Sequence, residues 1–373
     1  MKILHFYKTS VLDSIGGVEQ FIDQIASHAH KNYGLVSEVL TLSPKPSPSR
    51  VEINGYVIHR AKLDMQIAST SFSISAFKKF KELAKTADII HYHFPWPFMD
   101  LVHFISNPKK PTIVTYHSDI IRQKYLLKIY LPLMNIFLSS VSKIVATSPN
   151  YLATSEVLSK YRDKVSVIPI GLDKNSIALP STEKQAYWRN RFGKKFFLFV
   201  GVIRYYKGLH ILLDAAKDTE YPIVILGAGP IEEKLKLHAA RLGLNNVFFL
   251  GRLPQEDKVA LQMQCYCVLF PSHLRSEAFG ISLLEGAMFG KPLISSEIGT
   301  GTTFINIAGE TGLVVPPSDP LALRQAMQSL WNNPDMATQM GKRAEARYWE
   351  LFTADKMVES YVDMYRQLIR EAG

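Results

Sequence analysis

The sequence contains very little cysteine. Of its 373 residues only Cys265 and Cys267 are cysteines, in the segment CYCVLFPS. On a strand both side chains would point to one face, but too far apart for easy bridging. We therefore expect two unpaired core thiols and a reducing compartment.

Long apolar runs are also missing. The most apolar stretch, LLKIYLPLMNIFLSSV, is interrupted by Lys128 and Pro132, so no run reaches the roughly 18 residues of a membrane span. The N-terminal segment MKILHFYKTS has neither the long apolar region nor the small-residue cleavage site of a signal peptide, and it is predicted as a first strand. We expect a cytoplasmic protein.

A third absence concerns dinucleotide cofactors. The segment GAGPIEE, which begins at Gly227, has Glu232 where the dinucleotide-binding fingerprint requires a third small residue. The glycine pair Gly16 and Gly17 lacks that third residue as well. A nicotinamide-dependent enzyme is therefore disfavoured.

Positive charge is concentrated in the first half of the chain. The net charge is +10, of which residues 1–180 carry +8 and the remainder +2. The basic clusters are KKFKELAK (Lys78–Lys85), NPKKP (Lys109 and Lys110) and RQKYLLK (Arg122–Lys128), and the last runs into an apolar segment. Such a surface suits an anionic membrane face or a lipid-phosphate ligand, although a solvated helix face beside a buried one explains it equally well. Nucleic acid is disfavoured as a partner, because no nucleic-acid-binding motif accompanies the charge.

Short apolar runs alternate with longer helical patterns, which predicts an α/β protein with parallel sheets and crossover helices. The predicted strands are KILHFY, SEVLTL, DIIHYH, TIVTYH, KIVAT and VSVIPI in the first half, and KFFLFVG, PIVILG, NVFFLG, CYCVLFPS, KPLISS and TGLVVPP in the second. Two such sets, separated by a polar stretch between Asp173 and Phe196, indicate two doubly wound domains. We predict these domains at residues 1–175 and 176–352, with an amphipathic C-terminal helix at about 353–373 that packs back on the first.

In open α/β sheets ligands bind at the carboxyl ends of strands, and the informative residues of the first half follow its predicted strands. Gly16 and Gly17 precede a helical pattern, where bare backbone and helix amides can face an anion, although a tight turn explains the pair equally well. His117 ends a strand and is a candidate for contacting a polar ligand, or a strand-end histidine without a role. His93 and Trp96, in HYHFPWPF, belong either to an aromatic loop that stacks on a sugar ring or to a packing loop.

Charged residues follow the strands of the second half. Arg204 and Lys207 come after FFLFVG and before a helix, where they offer two positive charges to phosphate oxygens. Gly280 is predicted to begin the helix ISLLEGAM, whose first amides can receive a phosphate. Glu277 and Glu285 flank that helix start, at most roughly 12 Å apart. This separation is near that of a hexose and a ribose joined by a diphosphate, and each carboxylate could accept hydrogen bonds from one of the two sugars.

These residues together resemble a known family. The segment EAFGISLLE is similar to the Glu-x7-Glu motif of retaining GT-B glycosyltransferases, in particular of glycosyltransferase family 4. The likeness extends to the glycine pair, TYHSD, VGVIRYYKG, VILGAGP, FLGRLP and KPLISSEIGTG, in the family's order over nearly the whole chain. The resemblance implies a GT-B fold, with two Rossmann-like doubly wound domains facing across a cleft. The first domain would bind the acceptor and the second the nucleotide sugar.

The resemblance also implies roles for the donor-binding residues. Glu277 would hold hydroxyls of the donor sugar, and Glu285 would hold the ribose. Arg204 and Lys207 would bind the diphosphate and stabilise charge on the departing nucleotide. The remaining donor contacts would come from Ala278, Phe279, Gly280 and Ile281 around the helix start and from Arg252 and Leu253, which would frame the base.

On the acceptor side the resemblance implies a cleft lined by the first domain. Gly16 and Gly17 would line it. His93 and Trp96 are candidates for the same cleft on the residues of their own loop, if that loop stacks on a sugar ring as described above. His117 would lie near the donor sugar and the attacking hydroxyl, and it joins Glu277, Arg204 and Lys207 as a candidate catalytic residue. No residue is an evident nucleophile, so a same-face attack is favoured, in which the leaving phosphate accepts the proton of the acceptor.

The resemblance further implies a substrate and a location. The segment IGTGTTFIN points to the mannosyltransferases of polymannose O-antigen biosynthesis, which implies GDP-mannose as donor and an undecaprenyl-diphosphate-linked glycan as acceptor. UDP-linked hexoses or N-acetylhexosamines remain open as donors. The enzyme would work without a bound metal, in keeping with the lack of an Asp-x-Asp motif, and peripherally on the inner face of the cell membrane, with other O-antigen glycosyltransferases as further partners.

Two other classes of function remain open on the same fold. One is a nucleotide-sugar epimerase or a phosphorylase, although no additional phosphate or cofactor site is recognisable. The other is a non-catalytic nucleotide-sugar-binding subunit, which the presence of Glu277, Arg204 and Lys207 disfavours.

Overall fold

The chain forms two compact units. The computed structural model describes residues 1–14, 16–67, 70–120 and 124–372. For residues 124 and 125 it describes the backbone alone. One unit consists of Met1–Leu172 and Ala354–Gly373, and the other of Asp173–Thr353. Within the described ranges, no helix combines the length and the apolar character needed to cross a bilayer.

The first unit is built on a mostly parallel sheet. Its strands are β1 (Lys2–Phe6), β2 (Val36–Ser43), β3 (Arg50–Ile53), β4 (Tyr56–Lys62), β5 (Met65–Ile67), β6 (Thr70–Phe72), β7 (Ile89–Phe94), β8 (Thr112–Tyr116), β9 (Lys143–Ala146) and β10 (Val165–Val167). Among the described residues the order is β10-β9-β8-β7-β1-β2-β4-β3, with only β3 antiparallel to its neighbour, while β5 and β6 pair separately. The sheet order therefore reverses between β1 and β7.

Helices cover this sheet and bury their apolar stripes on it. They are α1 (Gly17–Tyr33), α2 (Ile74–Thr86), α3 (Pro97–Ser106), α4 (Lys124–Ser140) and α5 (Pro149–Thr154). In α1 the buried side chains Phe21, Ile22, Ile25 and Ala29 recur at helical spacing. β7 and β8 are buried along their whole length, as expected for parallel strands covered on both faces.

The second unit repeats the arrangement with a parallel sheet. Its strands are β11 (Phe197–Val200), β12 (Ile223–Leu226), β13 (Val247–Gly251), β14 (Cys267–Phe270), β15 (Leu293–Ser296) and β16 (Gly312–Val315). Among the described residues the order is β13-β12-β11-β14-β15-β16, so the reversal lies between β11 and β14. The helices are α6 (Thr182–Phe192), α7 (Leu209–Ala216), α8 (Glu232–Arg241), α9 (Gln255–Gln264), α10 (Ile281–Met288), α11 (Thr302–Ile305), α12 (Pro320–Asn332) and α13 (Pro334–Leu351).

The last helix, α14 (Ala354–Ala372), belongs to the first unit and packs against α1. It buries Val358, Tyr361 and Tyr365 completely. The Tyr365 hydroxyl lies 2.7 Å from Nδ1 of His91 on β7, and the Tyr361 hydroxyl lies 2.8 Å from Oγ1 of Thr115 on β8. The C-terminal helix is therefore tied to the centre of the sheet by hydrogen bonds as well as by apolar packing.

Each predicted strand is found, but β3–β6 were not predicted. β3, β5 and β6 are only three or four residues long, whereas β4 spans seven residues and pairs with both β2 and β3. One local prediction was wrong. Cys265 is the C-cap of helix α9 and does not lie on a strand, because β14 begins only at Cys267. Both thiols are buried and unpaired, as expected.

We expect Tyr365→Phe to lower the free energy of unfolding of the first unit by about 1–3 kcal/mol, because it leaves the buried Nδ1 of His91 without a hydrogen-bond partner. Urea unfolding followed by circular dichroism measures the change. Ser360→Ala is the matched control, since the exposed Ser360 hydroxyl bonds only within its own helix, to the Lys356 carbonyl. Equal stability of Tyr365→Phe and the natural protein would contradict this role of the hydroxyl.

Candidate functional site

The candidate donor residues meet where the order of the second sheet reverses. Lys207 follows β11 and Glu277 follows the neighbouring β14, and Nζ of Lys207 forms an ion pair with Oε2 of Glu277. Both residues are 91% buried, with 9% of their surface exposed. The Ser272 hydroxyl also donates to Oε2 of Glu277, at 3.2 Å. The sequence indicated both charged residues as site candidates, but it predicted neither their ion pair nor the hydrogen bond from Ser272.

Lys207 is positioned by the close approach of two backbone segments, the loop after β11 and the loop after β14. The next residue, Gly208, has φ +70°, and a Cβ there would lie 1.9 Å from the carbonyl oxygen of Pro271. The loop after β11 can therefore rest directly on the loop after β14 only because Gly208 has no side chain. Nζ of Lys207 lies 4.8 Å from the ring centroid of Phe270, so the ammonium is held between an aromatic ring and a carboxylate.

The predicted helix start is confirmed. Gly280 caps α10 with φ +103°, and the helix begins at Ile281. The first hydrogen bond of the helix runs from the Leu284 amide to the Gly280 carbonyl, at 3.0 Å, so the amides before Leu284 have no partner inside the helix. Phe279 is buried beside this start, and the Ala278 carbonyl accepts a hydrogen bond from the Gly301 amide, at 2.9 Å. The N-terminus of α10 thus adjoins Glu277.

Glu285, one turn into α10, is held by two residues that the sequence reading did not single out. Its Oε1 is 2.5 Å from Nζ of Lys258, and its Oε2 accepts from Nε2 of Gln262 at 2.8 Å. Lys258 and Gln262 are four residues apart on α9 and so share one face of that helix. Their i, i+4 spacing is the feature of the sequence that could have indicated two partners for one carboxylate.

The other candidate donor residues line the neighbouring strand ends. Arg204 is exposed and, within the part of the chain that the structure describes, forms no ion pair. Arg252 is exposed and Leu253 half-buried, directly after β13. The ends of β11 and β12 touch through Gly227, where a Cβ would lie 1.9 Å from the Gly201 carbonyl oxygen. The edge formed by these strand ends therefore carries exposed cationic groups.

In the first unit the candidate residues lie at the other reversal, between β1 and β7. Gly17 begins α1, and Gly16 is its N-cap without a side-chain hydrogen bond, as the helical pattern predicted. A Cβ on Gly16 would meet Oε2 of Glu19 at 2.3 Å. The Glu19 carboxylate, 8% exposed, accepts a hydrogen bond from the Thr9 hydroxyl. The first turn of α1 therefore contains a buried acid that the sequence reading did not single out.

Four histidine rings form a stack on one face of the first sheet. His5 of β1 and His91 and His93 of β7 are fully buried, and His117, directly after β8, is partly exposed. Nδ1 of His5 lies 3.2 Å from Nε2 of His93, and Nδ1 of His93 lies 3.2 Å from Nε2 of His117. Burial lowers the pKa of His5 and of His117 to about 3, and it lowers those of His91 and His93 well below their usual range. The stack is neutral at physiological pH.

Two predictions for this region need correction. Trp96 is fully buried, its Nε1 donates to the Ser71 carbonyl at 3.0 Å, and its ring packs on Phe6, so it has no free face for a sugar. HYHFPWPF is thus a packing loop. His93 is also fully buried and contacts other histidines, so it cannot line an acceptor cleft directly.

Among the described residues, one group of metal-ligand type stands out: ring nitrogens of His5, His91 and His93 lie within 4.8 Å of one another. However, Nε2 of His91 lies 2.7 Å from the Thr115 hydroxyl, and Nδ1 of His91 lies 2.7 Å from the Tyr365 hydroxyl. Its lone pair therefore points to a hydroxyl and not to a centre shared with the other rings. The arrangement is that of a hydrogen-bonded stack.

Comparison with known proteins agrees with this geometry. The family model described as Glycosyltransferase Family 4 matches residues 15–176, and that described as Glycosyl transferases group 1 matches residues 181–347. The D-rhamnosyltransferase WbpZ of Pseudomonas aeruginosa is 61% identical over 95% of this chain and 93% of its own length.

The chain belongs to glycosyltransferase family 4. A second relative, the O-antigen chain mannosyltransferase C of Escherichia coli, is 49% identical over 99% of both chains. Among solved structures, sucrose-phosphate synthase from Thermosynechococcus elongatus aligns with a TM-score of 0.80 at 21% identity over 99% of both chains. The Anabaena protein HepE in complex with UDP aligns with a TM-score of 0.79 at 18% identity over 98% of this chain and 100% of its own. The fold is GT-B, as predicted.

We expect Lys207→Met to destabilise the second unit by about 3–5 kcal/mol, because it leaves the Glu277 carboxylate buried without its counter-ion. The double variant Lys207→Met/Glu277→Gln should recover much of that loss, since no unpaired charge remains. Urea unfolding measures both. As control, Lys236→Met removes the lysine of the more exposed pairs with Glu232 and Glu233 and should change stability little. If Lys207→Met were as stable as the natural protein, the ion pair would not be a buried one in solution.

Proposed function

We propose that this glycosyltransferase transfers, with retention, a D-manno-configured hexose from a GDP-linked donor to a lipid-diphosphate-linked glycan in O-antigen biosynthesis. The observation that carries the proposal is the buried Lys207–Glu277 pair beside the N-terminus of α10, at the strand ends where parallel sheets bind ligands. This arrangement combines a carboxylate for hydroxyls, a cation for phosphates and free helix amides within one edge of one sheet.

The donor would lie along this edge. Glu277 would accept hydrogen bonds from sugar hydroxyls, and Lys207 and Arg204 would contact the diphosphate, with the amides of Gly280 and Ile281 on the same oxygens. Glu285 would accept from the ribose hydroxyls. Lys258 and Gln262 bind both Glu285 oxygens, and this supports the role because it fixes the carboxylate while each oxygen keeps a further lone pair.

The proposed transfer needs no nucleophilic side chain. An acceptor hydroxyl attacks the anomeric carbon from the face that the nucleotide leaves. A new carbon–oxygen bond forms as the bond to the diphosphate oxygen breaks, and the hydroxyl proton passes to that phosphate oxygen. Lys207 and Arg204 stabilise the charge that develops on the leaving diphosphate, which we propose makes a metal ion unnecessary.

The two relatives support a D-manno configuration for the transferred sugar but do not decide between mannose and its 6-deoxy form. D-Rhamnose is 6-deoxy-D-mannose, so the sugars named for the two relatives share their ring hydroxyls and differ only at C6. GDP-mannose, the donor expected from the sequence, and GDP-D-rhamnose are therefore the two candidates. A pocket that hydrogen-bonds the C6 hydroxyl rejects the deoxy sugar roughly 10⁴-fold, whereas an apolar pocket rejects the added hydroxyl only about 10²-fold.

A surface of the first unit supports membrane association. Helices α2, α3 and α4 lie side by side, and we name their exposed side the α2–α4 face. Its exposed apolar residues are Ile74, Leu101, Ile105, Leu126, Ile129 and Ile136. Its exposed lysines, with those that follow α3, are Lys78, Lys81, Lys85, Lys109 and Lys128, while Arg122 lies outside the described residues. Exposed apolar side chains among lysines favour an anionic bilayer, which is where a lipid-linked acceptor resides.

We expect transfer from GDP-mannose, GDP-D-rhamnose or both, and none from UDP-glucose or UDP-N-acetylglucosamine, when the donors are assayed with a lipid-diphosphate disaccharide in the presence of EDTA. Product linkage is read by mass spectrometry and NMR. Activity with UDP donors alone would contradict the proposed donor, and loss of activity in EDTA that divalent ions restore would contradict the metal-free reaction. An arm without acceptor detects epimerisation as a changed nucleotide sugar.

Glu277→Gln is the matched control for that panel. The amide keeps an oxygen for Lys207 and Ser272 but is a weaker acceptor for sugar hydroxyls, and it leaves the buried Lys207 ammonium without its counter-ion. Transfer from every donor should fall by about 10²-fold or more, measured at a temperature at which circular dichroism shows the variant to be folded. Near-normal turnover would remove Glu277 from the reaction.

We expect the protein to bind vesicles containing phosphatidylglycerol and to dissociate as salt is raised. Ile129→Asp on the α2–α4 face should weaken this binding. Leu179→Asp in the second unit is the control, because its exposure of 75% matches the 79% of Ile129. Sedimentation with vesicles measures the bound fraction. Equal binding of both variants, or binding that salt does not affect, would contradict the α2–α4 face as the membrane surface.

A further inference from the structure

The histidine stack contains a chain of three imidazoles with a defined direction. His5, His93 and His117 are linked by two nitrogen–nitrogen contacts of 3.2 Å, each of which needs one proton between its two nitrogens. A neutral imidazole carries one N–H and one lone pair. The two contacts must therefore run the same way along the chain, and only two proton arrangements are possible.

The neutral state of these rings follows from their surroundings. His5 and His93 are fully buried, and the Phe21 ring packs edge-on against His117, with 5.0 Å between the ring centroids. Burial therefore lowers the pKa of each of the three imidazoles far below neutrality. A charged imidazolium would bring an additional N–H and remove the constraint. Because each ring is neutral, fixing the proton on one ring fixes it on all three.

The inner end of the chain decides between the two arrangements. Nε2 of His5 is buried and has no hydrogen-bond partner among the described residues. An orphaned buried N–H is rarer in proteins than an unsatisfied acceptor, so this nitrogen is left as the bare lone pair. His5 then donates from Nδ1 to Nε2 of His93, and His93 donates from Nδ1 to Nε2 of His117.

We propose that His5 and His93 are positioning residues that hold His117 in the tautomer with its proton on Nδ1. Nδ1 of His117 makes no hydrogen bond to a described residue, and His117 is the partly exposed end of the chain. The ring therefore presents an N–H donor to an oxygen of a bound ligand, and it has no lone pair free to act as a base. Its consequence for transfer rests on the function proposed above.

The chain is testable in the ligand-free protein. In the full-length protein labelled with ¹⁵N-histidine, long-range ¹H–¹⁵N correlation distinguishes protonated from unprotonated ring nitrogens, with His117→Gln identifying the His117 signals. We expect a protonated Nδ1 and an unprotonated Nε2 on His117. The opposite pattern, with the proton on Nε2, would overturn the proposal without any further variant.

Variants of His93 separate positioning from packing. His93→Phe keeps a ring in the stack but removes the donor, so His117 should lose its single tautomer. His93→Asn restores an N–H donor near the position of Nδ1 and should restore the tautomer. Thr115→Val is the control, because it removes a buried hydroxyl that contacts His91 on the same sheet face but is not part of the chain. An unchanged His117 tautomer in His93→Phe would overturn the proposal.

The transfer assay gives the functional readout. We expect kcat/KM to fall about tenfold in His93→Phe, the equivalent of one neutral hydrogen bond, and to recover in His93→Asn. Loss of the tautomer with full transfer activity would overturn the donor role of His117 while the tautomer assignment stands. Failure of the proposed function and failure of the imidazole chain are thus distinguishable.

Discussion

The reversal of strand order within each parallel sheet is the constraint on which the rest of the structure depends. At a reversal, the loops that follow two neighbouring strands turn to opposite faces of the sheet and leave a crevice at the strand ends. In the second unit β11 and β14 flank the reversal, and the loops after them carry Lys207 and Glu277. In the first unit β1 and β7 flank the reversal. Gly16 lies in the loop after β1, and His5 and His93 of the imidazole chain lie on these two strands. The same topology therefore places a buried ion pair at one reversal and a chain of neutral imidazoles at the other.

The Lys207–Glu277 pair is better explained by binding than by stability. Desolvating two charges offsets most of their mutual attraction, so an apolar pair of similar size would stabilise the fold at least as well. In the absence of ligand, however, each charge holds the other in one position. On the proposed function, a diphosphate that reaches Lys207 would meet a cation already desolvated and oriented between Glu277 and Phe270, so little reorganisation would remain for the transition state.

Sequence reasoning recovered what depends on local pattern. Buried parallel strands are continuous apolar runs, and the glycine before α10 marks a helix start, so the sheets, the helix carrying Glu285 and the charged residues at strand ends were all predictable. The strands β3, β5 and β6 are short, and in β4 the polar residues His59, Arg60 and Lys62 interrupt the apolar run, so its pattern does not stand out. The burial of Trp96 and the contacts of His5 depend on which segments pack together, which adjacency in sequence does not reveal. The partners of Glu285 were visible only as an i, i+4 pair on another helix.

The neutral character of the histidine chain complements the charged edge of the second unit. A lysine or arginine in the place of His117 would bind phosphate as readily as hydroxyl, because its charge is attracted to any anion. A neutral imidazole offers one directed N–H without that attraction, provided its tautomer is fixed. Water or a mobile side chain at Nε2 would leave both tautomers populated. Two further buried histidines remove that freedom without adding charge, at the cost of one unsatisfied nitrogen on His5 deep in the sheet. That buried nitrogen, which has no partner in the described part of the chain, is hard to explain by packing alone, since a phenylalanine would fill the space without it.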